Sequence, residues 1–350
     1  MTRESTVLQN RKVVLASRPD GNPKEDNFRI ETGEAAEPGP GEMLVRVRAI
    51  SMEPAIRGWL DDNDKNYFEP IPIGGTLMAL SMGQVVKSNL EGYDPGDFVR
   101  GLMGWEDYTI VNADTVLLTK LDIAADMPLT YYVGVLGGSG QTPIVGLDVI
   151  GRMKPGETVV MSAAVGAVGH IGAQYAKHKG CRVVGIAGGP EKCRIALDEM
   201  GYDAVIDYKS TDDLDAAIRE ACPEGVDIYY DNVGGPTLDA MFNNMNTFGR
   251  IVCCGMIAGY NRADDPPPLY NAWQIVTREL ELKGFLLYSY GEHLDAALET
   301  NIDGLRSGWL NYRENKMVGI ANAPRLFCEL MSGRTVGKSV LEMDLPERAD

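Results

Sequence analysis

The chain reads as an α/β protein: a partly open barrel of short strands followed by a doubly wound parallel sheet. Three observations predict this. Residues 11–120 carry short apolar runs separated by turn clusters, with no steady βα rhythm. From about Pro128 onward, strand-like and helix-like segments alternate. Within that second part, residues 157–193 (ETVVMSAAVGAVGHIGAQYAKHKGCRVVGIAGGPEKC) read as strand, glycine-rich turn, helix and second strand.

In the first part, residues 13–16, 43–49, 83–87, 97–101 and 105–111 are predicted strands. Turn clusters fall at 19–23 and 37–41, and YDPGD at 93–97 reads as a turn that launches a strand. In the second part, strands are predicted at 158–162, 182–187, 204–207, 227–232, 250–254 and 281–285. Helices are predicted at 142–150, 173–179, 192–200, 212–221, 236–245 and 273–279. The tail changes again. Residues 309–317 are strand-like, and 323–332 read as a helix capped by Asn322 with Pro324 in its first turn. Residues 337–342 form a last strand, expected to return to the first domain. The predicted division is therefore 1–132 with 309–350 for one domain and 133–308 for the other. DDPPP at 264–268, between Tyr260 and Tyr270, reads as a stiff loop suited to the rim of a cleft.

The glycine-rich turn suggests a ligand. Gly166, Gly169 and Gly172 recur at three-residue spacing between a strand and a helix. Such a turn brings backbone N–H groups and a helix N-terminus to a pyrophosphate. Ligands of doubly wound sheets lie beyond the carboxyl ends of the strands, which puts 231–235 (DNVGG) and 255–260 (GMIAGY) beside the dinucleotide. The end of the second strand then selects the cofactor. An NAD site places Asp or Glu there for the ribose 2′-hydroxyl. Here the strand ends Ala187-Gly188-Gly189-Pro190-Glu191-Lys192, with room and a cation instead of an acid. A 2′-phosphate suits that cation, so NADP is favoured over NAD. Glu191 falls one turn late and is expected to face solvent.

Composition narrows the class. With 350 residues, 44% apolar and 24% charged, the chain suits two soluble domains. A net charge of −17, from 33 basic against 50 acidic residues, argues against nucleic acid or an anionic membrane as partner. The N-terminus has no apolar signal core, and six cysteines in no framework spacing fit a reducing cytoplasm. Cys253-Cys254 lies in an apolar run and reads as strand core. A zinc site is improbable: no cysteine precedes Cys181, and there are only three histidines. Of these, His170 and His178 are expected to face the nucleotide region or solvent.

Several segments resemble the zinc-free medium-chain dehydrogenase/reductases, in the branch of prostaglandin reductases and alkenal/enone double-bond reductases. They are AAVGAVG (163–169), GCRVVGIAGGPEKC (180–193), IDYK (206–209), YDNVGG (230–235), NRKVVLASRPDGNP (10–23), EPAIRGW (53–59), LKGF (282–285) and ENKMVGIANAP (314–324). The resemblance covers almost the whole chain. It implies a GroES-like partly open β-barrel domain, a Rossmann domain, NADP(H), and reduction of the C=C bond of α,β-unsaturated aldehydes and ketones. Residue by residue, it implies that Gly166, Ala167, Val168 and Gly169 hold the pyrophosphate. Lys192 and Tyr208 would hold the 2′-phosphate, and Asn232 the ribose on the nicotinamide side. Cys254, Gly255 and the segment through Tyr260 would line the nicotinamide cleft, flanked by Phe285. It also implies a homodimer.

The implied chemistry is addition of hydride to the β-carbon, with negative charge developing on the carbonyl oxygen. Tyr260, matching the family's active-site tyrosine in GMIAGY, is the candidate donor to that oxygen. The proton for the α-carbon would come from Tyr260 or from water. Departures concern the substrate. Ala55 stands where the family often has tyrosine, and Gly138, Gln141 and Ile144 replace a methionine, a leucine and a tyrosine. These changes predict a pocket wider in one place and more polar in another. Thr335 replaces an asparagine common in the family near the cofactor. Quinone reduction by the same hydride route, or NADPH binding without turnover, are the competing readings.

Overall fold

The computed structural model describes residues 8–62, 66, 68–262 and 265–344. Two compact units account for it, Met1–Gly134 with Asn315–Thr335 and Ser339–Asp350, and Val135–Glu314 with Val336–Lys338.

The first unit is built of antiparallel strands. β1 (Gln9–Leu15) pairs with β2 (Phe28–Glu34). β3 (Glu42–Ser51), β4 (Met78–Ser88), β5 (Phe98–Gly104), β6 (Tyr108–Asn112) and β7 (Thr119–Leu121) form most of the main sheet. Each predicted strand of this part is present, and β2 and the short β7 are additional. The β2 sequence FRIETGE leaves most side chains exposed, so no apolar alternation announces it. The YDPGD turn closes as expected: Asp97 N–H donates to the Asp94 carbonyl at 3.0 Å, and Asp94 N–H to Asp97 Oδ2 at 2.7 Å. Buried Met43, Val45, Val85, Val99, Met103 and Val111 fill the core. Beside it, Phe28, Trp105 and Phe327 meet with ring centroids 5.8–6.3 Å apart.

The second unit opens with helix α1 (Gly138–Val145), continued by one wider π-turn at Gly146–Ile150. Pro143 inside the helix removes one donor, which helps explain the loosened turn. Then follow β8 (Thr158–Ser162), α2 (Ala167–His178), β9 (Arg182–Ala187), α3 (Pro190–Glu199), β10 (Ala204–Asp207), α4 (Leu214–Ala221) and β11 (Val226–Asp231). After them come α5 (Gly235–Phe242), β12 (Met245–Cys253), α6 (Ile257–Tyr260), α7 (Gln274–Thr277), β13 (Glu281–Gly284) and α8 (Leu294–Ser307). The six strands are parallel in the order β10-β9-β8-β11-β12-β13, the 3-2-1-4-5-6 order of a dinucleotide-binding sheet.

Alternation along the strands builds a core on each face. Val159, Met161, Ile228, Tyr230 and Val252 pack with residues of α1, α2 and α3. Val160, Val184, Tyr229 and Ile251 pack with residues of α4 and α5. Strand ends align, since Ser162 pairs with Ile186, Ala187 with Asp207 and Asp231 with Cys253.

The chain then returns to the first sheet through β14 (Glu314–Val318), α9 (Ala323–Met331) and β15 (Lys338–Glu342), and β15 pairs with β3. Two tail expectations are corrected. Residues 309–313 are not a strand, because their backbone is bonded to side chains of α2. Asn322 does not cap α9; its Nδ2 donates back to the Val318 carbonyl at 2.7 Å. Asp264, in the predicted DDPPP loop, lies outside the described residues. No helix among the described residues is long and apolar enough to cross a membrane.

Candidate functional site

The glycine turn forms the first part of the site, at the carboxyl end of β8. Helix α2 starts at Ala167, directly after Gly166, so Gly169 and Gly172 lie inside the helix and not before it as predicted. A Cβ on Gly169 would sit 2.5 Å from the Ala163 carbonyl oxygen and 2.7 Å from that of Ala164. A Cβ on Gly172 would lie 2.5 Å from Met161 Cε and 3.0 Å from Pro143 Cβ. These glycines allow the helix to lie against the strand turn. The carbonyls of the turn are held from within. Tyr202 Oη lies 3.0 Å from the carbonyl oxygens of Ala164 and Gly169, and Gly337 N–H donates to the Val165 carbonyl at 2.7 Å. The first-turn amides of Ala167, Val168 and Gly169 have no partner one turn back, and no acid stands in that turn. That donor set fits a pyrophosphate.

The second part is the corner between β9 and β10. Tyr208 N–H donates to the Ala187 carbonyl at 3.1 Å. Its ring is 49% exposed and crosses Gly188 so closely that a Cβ there would lie 2.7 Å from it. Asp207 ends β10 at this corner, and its Oδ1 accepts from the N–H groups of Gly189 at 2.8 Å and Lys209 at 3.0 Å. Lys192, half-buried on the first turn of α3, has its ammonium pushed down by burial and then by the charge of Lys209. Glu191 is exposed, as expected. Two lysines and an aromatic hydroxyl, beside an Asp207 whose Oδ1 is taken by backbone N–H groups, fit a 2′-phosphate. Lys209 escaped the sequence reading. The pairing of β10 alongside β9 brings the segments that follow both strands to one corner, where the charge of Lys209 acts on Lys192.

The third part lies at the ends of β11 and β12. Asn232 Nδ2 donates to the Ser162 carbonyl at 2.9 Å, and its N–H donates to Ser162 Oγ at 2.9 Å. Cys254 N–H donates to the Asp231 carbonyl, and the half-buried Tyr260 ends the short helix α6. Tyr260 Oη accepts from Met256 N–H at 3.3 Å and would lie 3.1 Å from a Cβ on Gly255. Burial pushes the phenol up, so it stays protonated at neutral pH and can donate to an oxygen. Phe285 follows β13 directly and meets Tyr290 edge-on at 6.1 Å.

Three expectations about side chains are corrected. Gln141 is buried, and its Nε2 donates to the Leu294 carbonyl at 2.9 Å, so it ties α1 to α8. Ile144 is a core residue. Of the three replaced positions on this stretch, only Gly138 is partly exposed. His170 faces neither nucleotide nor solvent. It is fully buried, with Nδ1 2.7 Å from the Gly166 carbonyl oxygen and Nε2 accepting from Arg313 N–H at 3.4 Å. His178 is exposed and stacks on Trp309 at 4.5 Å.

Burial pushes the His170 imidazole down to about 4. In the unfolded chain it titrates near 6.5. The unfolded state therefore takes up the proton first as pH falls. Stability is full above about pH 6.5 and declines toward pH 4, by about 3 kcal/mol. Melting temperatures measured between pH 7.5 and 4.5 should fall accordingly, and His170→Gln, which cannot charge, should flatten that slope. An unchanged slope in the variant would assign the acid lability to other groups.

All six cysteines are free thiols, and no group of three or more metal-ligating side chains occurs among the described residues.

The chain is similar to known oxidoreductases over nearly its whole length. The family described as "N-terminal domain of oxidoreductase" matches residues 11–118, and that described as "Zinc-binding dehydrogenase" matches residues 167–301. The NADPH-dependent curcumin reductase of Escherichia coli is 40% identical over 341 residues, covering 96% of this chain and 97% of that protein. The NADP(+)-dependent 2-alkenal reductase of Nicotiana tabacum is 35% identical over 337 residues, covering 95% and 97%. The crystal structure of CurA from Vibrio vulnificus in complex with NADPH superposes with a TM-score of 0.88 at 37% identity, covering 96% of this chain and 100% of that one. The chain belongs to the zinc-independent medium-chain dehydrogenase/reductases, in the branch that contains the enone and alkenal double-bond reductases.

Proposed function

We propose that this chain is an NADPH-dependent reductase of the C=C bond of α,β-unsaturated aldehydes and ketones. The observation that carries the reading is Tyr260: a protonated phenol beyond the carboxyl ends of β11 and β12, in a sheet whose glycine turn and Lys192 corner suit NADPH. The named activities of the relatives support it. Bound NADPH would supply hydride to the β-carbon of the substrate. The chain's own residues do the rest. Ala167, Val168 and Gly169 orient the pyrophosphate through backbone amides. Lys192 and Tyr208, joined by Lys209, hold the 2′-phosphate. Asn232 holds the ribose on the nicotinamide side. Cys254, Gly255 and Phe285 border the nicotinamide, and Tyr260 donates to the carbonyl oxygen as it becomes an enolate. In this reading Val135–Glu314 with Val336–Lys338 is the nucleotide unit.

The test is oxidation of NADPH and NADH with a panel of enals, enones and quinones, with each product identified. Saturated carbonyl products formed faster with NADPH are expected. Hydroquinones alone would replace the reading with quinone reduction, and binding of NADPH without any turnover would replace it with a binding protein.

A further inference from the structure

Helix α6, which carries Tyr260, has only four residues and cannot hold itself by its own ladder. It hangs instead from the turn after β11. Cys254 and Gly255 N–H donate to the Asp231 carbonyl at 2.9 and 3.1 Å. Ile257 N–H donates to the Asn232 carbonyl at 3.3 Å, and Ala258 N–H to the Val233 carbonyl at 3.0 Å. Three consecutive carbonyls thus fix the approach to α6 and its first residues.

Those carbonyls are fixed in turn by one side chain. Asp231 is fully buried. Its Oδ1 accepts from Tyr229 Oη at 2.8 Å, Val233 N–H at 2.9 Å, Gly234 N–H at 2.9 Å and Ser162 Oγ at 3.3 Å. Its Oδ2 meets no donor among the described residues. Ser162 Oγ also accepts from Asn232 N–H, so the same cluster places Asn232. A buried carboxyl is a costly way to close a turn, and a neutral Asn or Ser would serve a loop with no other task.

We propose that Asp231 is a positioning residue for the reaction: its carboxyl sets the 231–234 turn, and that turn sets Tyr260 and Asn232 at the carboxyl edge of the sheet. This rests on the reading of Tyr260 as the donor to the enolate oxygen. Asp231 acts through the backbone of the turn from which α6 hangs. Burial pushes the Asp231 carboxyl up, while the bonds from Gly234, Val233, Tyr229 and Ser162 hold it down. Weakening any of those bonds loosens the turn, and a small displacement of the phenol is enough to slow the chemistry.

The experiment is a double-variant cycle on the full chain. NADPH oxidation by saturating enone is followed in a single turnover for wild type, Asp231→Asn, Tyr260→Phe and the double variant, with NADPH affinity measured alongside. Asp231→Asn is expected to slow the step roughly tenfold with NADPH affinity nearly unchanged. The double variant should be slowed by much less than the product of the single effects, because misplacing a missing hydroxyl costs nothing. A merely structural Asp231 would give multiplicative losses or wild-type rates, and either result overturns the proposal. Wild-type rates for Tyr260→Phe would instead overturn the reading of Tyr260, and this proposal with it. If Asp231→Asn does not fold, Tyr229→Phe carries the same cycle. It keeps the ring in the core and deletes one donor to Oδ1, with a smaller slowing and the same non-multiplicative pattern.

Discussion

Tyr260→Phe is expected to lower the turnover of enone reduction by roughly 10²–10³-fold while NADPH binds almost as well as before. The magnitude is that of removing one donor to an oxygen that gains charge in the transition state. The geometry explains why this hydroxyl is suited to donate. Its oxygen already accepts from Met256 N–H at 3.3 Å, which leaves its own proton for a second partner. Gly255 keeps the space beside the hydroxyl open, since a Cβ there would lie 3.1 Å away. Burial pushes the phenol up, so the donating form persists through neutral and mildly alkaline pH. Phenylalanine keeps the ring and its packing and removes only the O–H. Steady-state kinetics with NADPH and a small cyclic enone make the check. A fall in kcat with little change in KM would show an interaction made mainly in the transition state. A rise in KM alone would reduce Tyr260 to a binding residue, and unchanged kinetics would place the donor elsewhere.

Much of this arrangement is legible in the residues themselves, for identifiable reasons. β8, β9 and β10 have the predicted bounds, because short β-branched runs stop at glycine or acidic punctuation. The βα alternation predicted a doubly wound sheet, and the strand order is of that kind. Helix α8 was missed because its most buried positions are Ala297, Asn301 and Gly304, which draw no apolar stripe. Asn301 earns burial by donating to the Val135 carbonyl at 3.0 Å, a contact that local sequence cannot show. His170 and Gln141 misled for a similar reason. A polar pocket wall and a histidine facing nucleotide or solvent were expected, yet His170 bonds to the Gly166 carbonyl at the start of its own helix and Gln141 to the Leu294 carbonyl. Asp231 is the reverse case. As one acid in YDNVGG it gives no sign that four donors converge on a single oxygen.

Lys192→Ala is expected to weaken NADPH binding by roughly 10–100-fold and NADH binding far less, the range of one or two charge-assisted hydrogen bonds to a 2′-phosphate. The whole chain, at −17, repels so anionic a cofactor, and attraction must come from this corner and the amides of the glycine turn. Lys192 is costly to keep there, since burial and the charge of Lys209 both push its ammonium down. A bound phosphate relieves that conflict, because it draws both cations and accepts from both. NADPH, which carries the 2′-phosphate, is therefore expected to gain from this pair of lysines, and NADH is not. A pH dependence follows. NADPH affinity should decline at a pH below the ordinary lysine range, as the lowered Lys192 loses its proton, while NADH affinity stays flat. Lys192→Ala should abolish that difference, and Lys209→Ala should shift the decline to higher pH by removing the repelling charge. Titration of each variant with both cofactors, followed by nicotinamide fluorescence, makes the comparison. Equal losses for NADPH and NADH would show that Lys192 supports the fold of the corner and does not read the phosphate.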